Sequence, residues 1–450
     1  MNQVPREQWQ SRRGFLLAAV GSAVGLGDIW RFPYVTGENG GGAFLLVYLL
    51  IVLLVGVPLL LGEFALGRRM QSESATAVAR LVPASRWRHA GVIGVVAAGL
   101  ILAYYAVIAG WVFKYTALYF SSPAMTLASG GFAGHFQAHV ARPLEPLAWQ
   151  LLGMALTTAV IAQGVEKGIE KISLWLMPLL ALLLIGLALH SATLPGFGQG
   201  LHFLFQPDWS ALARPGLYVA AMGQAFFSIG LAMGVMVTYG SYQPATRPLP
   251  AATVTIALGD TLFGVIAGLV IFPAVFSFGL DPAQGTGLIF AVLPTVFAQM
   301  PGGGVIGAAF FLLLSIAALT SMVSLLEVPV AYAMQRWAWS RQRASLRLGA
   351  LLFALGIPAS LGFGALAGLP LPGGRNILDV MDYVSLELLL PLNGILLAVL
   401  LGWLWPRHEA LQAADLQPDA LGRAWHFSLR YLVPLLVGVV LLGSLAQLVD

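Results

Sequence analysis

Few residues in this chain could do chemistry, and most of them stand where a charge is costly. Residues 21–33 read Gly-Ser-Ala-Val-Gly-Leu-Gly-Asp-Ile-Trp-Arg-Phe-Pro, inside an apolar segment running from about Gly14 to Tyr34. The segment is long enough to cross a bilayer, yet it carries Asp28, Arg31 and Pro33. Charged side chains at membrane depth persist mainly where they line a cavity or a pathway. Glycines at 21, 25 and 27, with Pro33, predict a helix that breaks partway across. Hydrocarbon cannot satisfy the carbonyls and N–H groups such a break exposes. A cation and a small anionic group would satisfy both kinds of backbone end. This stretch is therefore the expected binding site.

The elements that must position it are membrane helices. Of the 450 residues, 58% are hydrophobic and 9% charged, against roughly 25% charged in a soluble domain. Fifty-two glycines and twenty-six prolines suit helices that kink and approach closely. No cysteine occurs, which excludes disulfides, thiolate metal sites and a cysteine nucleophile. The seven histidines are read as scattered, so no structural metal site is expected, and no Asn-X-Ser/Thr acceptor is present.

Eleven spans are expected, near 14–35, 43–66, 91–120, 147–164, 169–190, 215–242, 251–278, 304–337, 346–367, 378–405 and 426–447. The first is too long for a cleavable signal and is read as retained. With the N-terminus inside, eighteen of the 23 Lys and Arg fall on inner segments, and only Arg142, Arg214 and Arg375 fall outside. That is a strong positive-inside pattern, and an odd number of spans puts the C-terminus outside. The region 279–303, interrupted by Pro282, Pro294 and Pro301, reads as a re-entrant or capping helical hairpin. A second glycine-interrupted run, Ser228 to Gly234, sits in the sixth span. Spans one and six begin successive sets of five, the second set inverted, and broken helices at matching positions point to a shared midplane site. The whole chain, 1–450, is then one transmembrane domain. Repeat one covers about 14–190, repeat two about 215–405, and an extra helix about 426–447.

Gly21 to Pro33, followed by Glu38-Asn39-Gly40-Gly41-Gly42-Ala43-Phe44, resembles the signature of the neurotransmitter:sodium symporter family. Further matches run along residues 6–405: Gly62-Glu63 with Gly67-Arg68, Tyr104-Tyr105, Gly223 to Ser228, Ile271-Phe272-Pro273, and Leu319-Thr320-Ser321. The resemblance implies an all-α LeuT fold and alternating access. It also implies sodium-coupled uptake of an amino acid or related amine, as in the prokaryotic amino-acid transporters.

It further implies two sodium sites. One would use the Ala23 carbonyl with Asp28, Ser228 and Asp260. The other would use carbonyls of Gly21, Val24 and Ala317 with the hydroxyls of Thr320 and Ser321. Those hydroxyls have a second reading, bonding back to their own helix carbonyls. The substrate pocket would comprise Ala23, Gly25, Tyr105, Phe227, Ser228, Gly230, Met233, Ser321 and Leu325. Tyr105 would donate to the substrate carboxylate. Arg31 would pair with Asp382 as an outer gate, and Arg6, Trp9 and Tyr242 would form an inner latch. Gly168 and Pro178 match a spacing that lets the fifth helix unwind. Glu63 and Glu327 are given structural roles.

The chain departs from the family at three points. Asp28 replaces the usual asparagine, so it is either a sodium ligand or a proton site. Asp260 is either a sodium ligand or the fixed carboxylate that replaces chloride, and on either reading no chloride requirement is expected. Gln335 stands where the inner latch has an aspartate, so that latch is weaker or borrows another acid. Gly25, where amine carriers place an aspartate, argues for an amino acid, and Gly230 with Met233 for a hydrophobic or aromatic one.

Other classes fit parts of the pattern. Gly25-Leu26-Gly27-Asp28 matches the Gly-X-Gly-Asp pattern of intramembrane aspartyl proteases, with Asp260 as second acid, but no Pro-Ala-Leu element follows. A non-transporting receptor and a proton-coupled carrier on the same fold are the further alternatives. Architecture suggests a prokaryotic inner-membrane protein that meets an amino acid and the bilayer, and no nucleic acid. The oligomeric state stays open, a homodimer being one option.

Overall fold

The computed structural model describes residues 7–121, 131–280, 288–371 and 374–446. Arg6 of the expected latch, Pro282 of the expected hairpin and the last residue of the eleventh span lie outside them. The described chain is helical, and no strand occurs in it. In chain order the helices are α1 (Arg12–Ala23), α2 (Gly27–Glu38), α3 (Gly42–Met70), α4 (Ser74–Leu81), α5 (Arg86–Ser121), α6 (Gly131–Val140), α7 (Glu145–Ala162), α8 (Val165–Ser191) and α9 (Phe197–Phe205). They continue as α10 (Pro215–Ile229), α11 (Val235–Gly240), α12 (Leu249–Ser277), α13 (Ile289–Gln299), α14 (Gly303–Trp337), α15 (Arg341–Leu361), α16 (Ile377–Leu404), α17 (Arg407–Ala413) and α18 (Ala420–Leu445).

Among the described residues nine helices are long and apolar enough to cross a membrane, and ten spans result if α1 and α2 count as one. The two meet at a 46° bend. The sixth expected span is α10 and α11, neither of them long enough to count alone. Gly230 ends α10 in the left-handed region (φ 73°) and Gly234 opens α11 there (φ 74°). An L side chain rarely adopts that backbone, so glycine at these two positions makes the break. Ala232 between them also has positive φ (61°).

Burial is deepest in α5 and α14, whose apolar windows are 78% and 83% covered, so these two form the centre against which α1, α7 and α15 pack. Where lipid is as apolar as leucine, close approach rather than hydrophobicity holds helices together. α3 and α11 show this: a Cβ on Gly67 would lie 1.9 Å from the Val237 carbonyl oxygen, and one on Gly240 2.8 Å from that of Phe64. At the end carrying most Arg and Lys, buried Arg68 is held by both carboxylate oxygens of Asp415 (2.8 and 2.9 Å) and the carbonyl of Ala413. At the other end α13 is a short apolar helix, not a span. Phe290 at its start stacks on Phe136 of α6 at 4.9 Å.

Reading the histidines as scattered overlooks one spacing, because His135 and His139 stand four apart on α6. No group of three His, Cys, Asp or Glu among the described residues is placed to hold a metal ion. Glu145 engages Lys114 and Arg142, each at 2.8 Å, and lies 3.5 Å from His139 Nδ1.

Candidate substrate and cation site

The breaks of α1/α2 and α10/α11 meet at the centre of the bundle. Across the first, Gly25 N–H donates to Asp28 Oδ2 at 3.1 Å and Leu26 N–H to the Tyr105 hydroxyl at 3.0 Å. The carbonyls of Gly21 and Ser22, four residues back, thereby lose their helical donors. Asp28 N–H turns to Gly25 O at 3.2 Å, which frees the Val24 carbonyl in the same way. Ser321 donates to Ser22 O at 3.4 Å. The donor set on this side is hard oxygen, the kind a sodium ion takes. Thr320, by contrast, turns its hydroxyl back to the carbonyls of Ile316 and Ala317, at 3.1 and 3.0 Å.

On the other side of α1/α2 two carboxylates converge on one hydroxyl. Ser228 Oγ is hydrogen-bonded with Asp28 Oδ1 and lies 2.7 Å from Asp260 Oδ2. The Tyr48 hydroxyl stands 3.4 Å from both Ser228 Oγ and Asp260 Oδ2. Asp28 and Asp260 are wholly buried and Asp260 Oδ1 has no hydrogen-bond partner. One hydroxyl has one proton and can donate to one carboxylate at a time. Two ionised carboxylates this close in a buried site need a cation or a proton between them. The residues present fit a cation.

A narrow cavity opens at the two breaks, bounded by Gly25 and Gly27 on one and Gly230 and Met233 on the other. Eight of the nine expected pocket residues line it: Ala23, Gly25, Tyr105, Phe227, Gly230, Met233, Ser321 and Leu325. Ser228 belongs instead to the carboxylate pair. Sequence reasoning missed Ser22, Gly27, Ile101, Val235 and Ser324, which also line it. Helical spacing carries part of that signal: Ile101 is one turn before Tyr105, and Ser324 one turn after Ser321. A Cβ on Gly25 would lie 2.4 Å from Ser321 Oγ and 3.1 Å from the Tyr105 hydroxyl, so a side chain there would have to displace the Ser321 hydroxyl.

On one side of the cavity Arg31 Nη1 donates to Gln224 Oε1, and Gln224 Nε2 donates to the Gly27 carbonyl, each at 2.9 Å. The Arg31 guanidinium lies 5.9 Å over the Phe227 ring. Asp382 is near enough to act on its charge, but the direct partner is Gln224.

At the basic end, buried Trp9 donates its indole N–H to Tyr239 O at 3.0 Å and packs edge-on to Tyr242 at 6.2 Å. The Tyr242 hydroxyl donates to Glu327 Oε1 at 2.5 Å. Arg341 grips both Glu327 oxygens at 2.8 and 3.0 Å and reaches Glu7 at 2.9 Å. Glu7 also accepts Val165 N–H, while Glu170 accepts the N–H groups of Gln10 and Ser11. Glu327, given only a structural role from the sequence, thus joins Tyr242 to Arg341 at this end, while Arg6, whose acidic partner is expected near Gln335, lies outside the described residues. Glu63 accepts Ala232 N–H at 2.7 Å, tying α3 to the second break.

Paired broken helices around a buried polar cavity, in a bundle of apolar spans, define a multi-pass membrane transporter of the LeuT fold. The model of the sodium:neurotransmitter symporter family matches residues 6–128 and 138–449, and the chain belongs to that family. It is 40% identical over 452 residues to the uncharacterized sodium-dependent transporter YhdH of Bacillus subtilis, covering the whole of both chains. An uncharacterized sodium-dependent transporter of Haemophilus influenzae is 32% identical, with 99% of each chain covered. Among solved structures, MhsT in complex with L-phenylalanine superposes with a TM-score of 0.93 at 50% identity, over 98% of this chain and 100% of that one. The protein is a transporter and not an enzyme, so Gly25 to Asp28 does not mark a protease.

Proposed function

We propose that the protein is a sodium-coupled symporter that imports a hydrophobic or aromatic amino acid by alternating access. The observation that carries this reading is the cavity itself. It is lined by both breaks, with Gly25 bare and Tyr105 and Ser321 beside it, and Asp28, three residues from Gly25, reaches back to the Gly25 N–H. The solved relative that holds L-phenylalanine supports the amino-acid class. In this reading the Ala23 carbonyl, Asp28, Ser228 and Asp260 hold one sodium ion. Gly21, Val24, Ala317, Thr320 and Ser321 hold the second, once Thr320 turns from its own helix. Sodium supplies the positive charge that lets the two breaks close around the substrate. The substrate carboxylate takes the Leu26 N–H and the Tyr105 hydroxyl, which satisfy one another when it is absent. Met233 and Leu325 face its side chain. Asp260 stands as fixed negative charge, so chloride is not required.

Repeats at about 14–190 and 215–405 would rock about this site. Arg31, Phe227 and Asp382 close the outer side. Trp9, Tyr242, Glu327 and Arg341 close the inner one, with Arg6 beyond the described residues. The excess of Arg and Lys on alternate segments supports an N-terminus inside and, with eleven spans, a C-terminus outside, in what we read as a prokaryotic inner membrane.

Uptake of labelled amino acids into proteoliposomes, under an inward sodium gradient and an equal potassium gradient, tests the reading. Accumulation with sodium alone is the expected result, and accumulation with neither ion removes it. One observation favours a second reading. Two carboxylates on a single hydroxyl could carry a proton in place of the first sodium, and uptake driven equally by a proton gradient would select that reading.

A further inference from the structure

The inner end of α14 and the start of α15 carry an arrangement that transport does not use. Trp337 is half exposed, packs tilted against Trp339 at 5.0 Å and meets Tyr332 edge-on at 5.7 Å. Over the Trp339 ring lie two guanidiniums, Arg343 at 5.4 Å and Arg347 at 5.0 Å. Like charges four residues apart on a helix repel, and here both lie within cation–π distance of one indole ring. The ion pairs of this end engage Arg68 and Arg341, and neither Arg343 nor Arg347 has a carboxylate partner among the described residues. Two unpaired guanidinium forks on an aromatic shelf have the geometry and charge to clamp a phosphate oxyanion.

The rest of the same helix indicates the source of that phosphate. Between the two arginines in sequence Leu346 is exposed, and further along α15 Leu351 and Leu355 are exposed on another side of the helix. Leu346 also lines a groove between α7 and α15 that is mostly apolar, through Leu151, Ala155 and Phe353, with Thr158 and Gln342 as polar members. Charge at the membrane surface continuing into an apolar channel matches one amphiphile, headgroup first and acyl chain below. We infer that Arg343, Arg347 and Trp339 form a binding site for an anionic phospholipid, whose chain lies in the α7/α15 groove.

The test uses the full-length protein in detergent, with phosphatidylglycerol or phosphatidylcholine added, and counts retained lipid by native mass spectrometry. Phosphatidylglycerol is expected to be retained over phosphatidylcholine. The Arg343→Gln/Arg347→Gln double variant should bind it about tenfold more weakly. Arg407→Gln/Arg423→Gln, which removes two other exposed arginines of the same end, should leave binding unchanged. Trp339→Leu, which removes only the shelf, should weaken binding less than the double variant does. Both pairs lie on the surface, and equal unfolding midpoints without lipid will show that the variants are folded. Equal losses in the two double variants would reduce the site to bulk surface charge and overturn the proposal. Displacement by millimolar glycerol phosphate would overturn it in favour of a soluble phosphate.

Discussion

Ser228 Oγ stands 2.7 Å from Asp260 Oδ2 while also contacting Asp28, so one hydroxyl spaces two buried carboxylates. Ser228→Ala removes an oxygen ligand and the group separating the two charges. Sodium affinity, measured from the sodium dependence of uptake, should fall at least about tenfold, the loss of one charge-assisted contact. Asp28→Asn discriminates the two readings. If Asp28 is a plain sodium ligand, the pH profile of uptake stays as it was; if it carries a proton, the profile flattens.

Arg341 joins Glu327 and Glu7 at the end proposed to close the inner side. Arg341→Gln leaves the Glu327 carboxylate buried and unpaired, a change worth about 3–5 kcal/mol. The expected result is a shift toward the inward-open state. The chain has no cysteine, so a single cysteine placed on the inner side of the cavity reports this cleanly through faster labelling by a membrane-impermeant thiol reagent. Arg341→Gln/Glu327→Gln should recover much of the loss, because the stranded charge is gone.

Gly25→Ala places a methyl group 2.4 Å from Ser321 Oγ. Overpacking of this kind costs about 1–3 kcal/mol, so uptake should drop roughly tenfold or more with the fold intact. Gly186→Ala, where an added Cβ meets nothing within 4 Å, is the matched control and should transport normally.

His139 gives a prediction in pH. Burial, with the Lys114 ammonium near it, holds its imidazole down to about 4, against 6.5 in the open chain. The unfolded chain therefore takes up a proton first as pH falls. The stability His139 contributes is complete above about pH 6.5 and is lost progressively toward pH 4. Thermal midpoints of the purified protein should fall over that window by an amount equivalent to about 1 kcal/mol, allowing for solvent screening. His139→Gln should flatten the slope.

The broken first helix was legible because three glycines and an aspartate have no other use in an apolar span. The nine pocket residues came from the family resemblance, and eight of them line one cavity. What escaped were partners chosen by reach rather than by type. Asp382 has the right charge for Arg31, but Gln224 is nearer and can accept from Arg31 while donating to Gly27 O. Glu327 read as a buried structural acid because nothing in the sequence brings Arg341, beyond the turn at Ala338, back onto it. Local bonding also won at Thr320, where the carbonyls of its own helix are always in reach and a facing helix is not.

The backbone contact between α3 and α11 has a consequence for motion. With no side chains between Gly67 and Val237, or between Gly240 and Phe64, there is nothing to act as a bearing, and the two segments cannot slide past each other. The short helix after the second break is therefore welded to its long neighbour. If the central cavity opens as proposed, the close α3/α11 contact and the Glu63–Ala232 hydrogen bond favour the two moving as one lever.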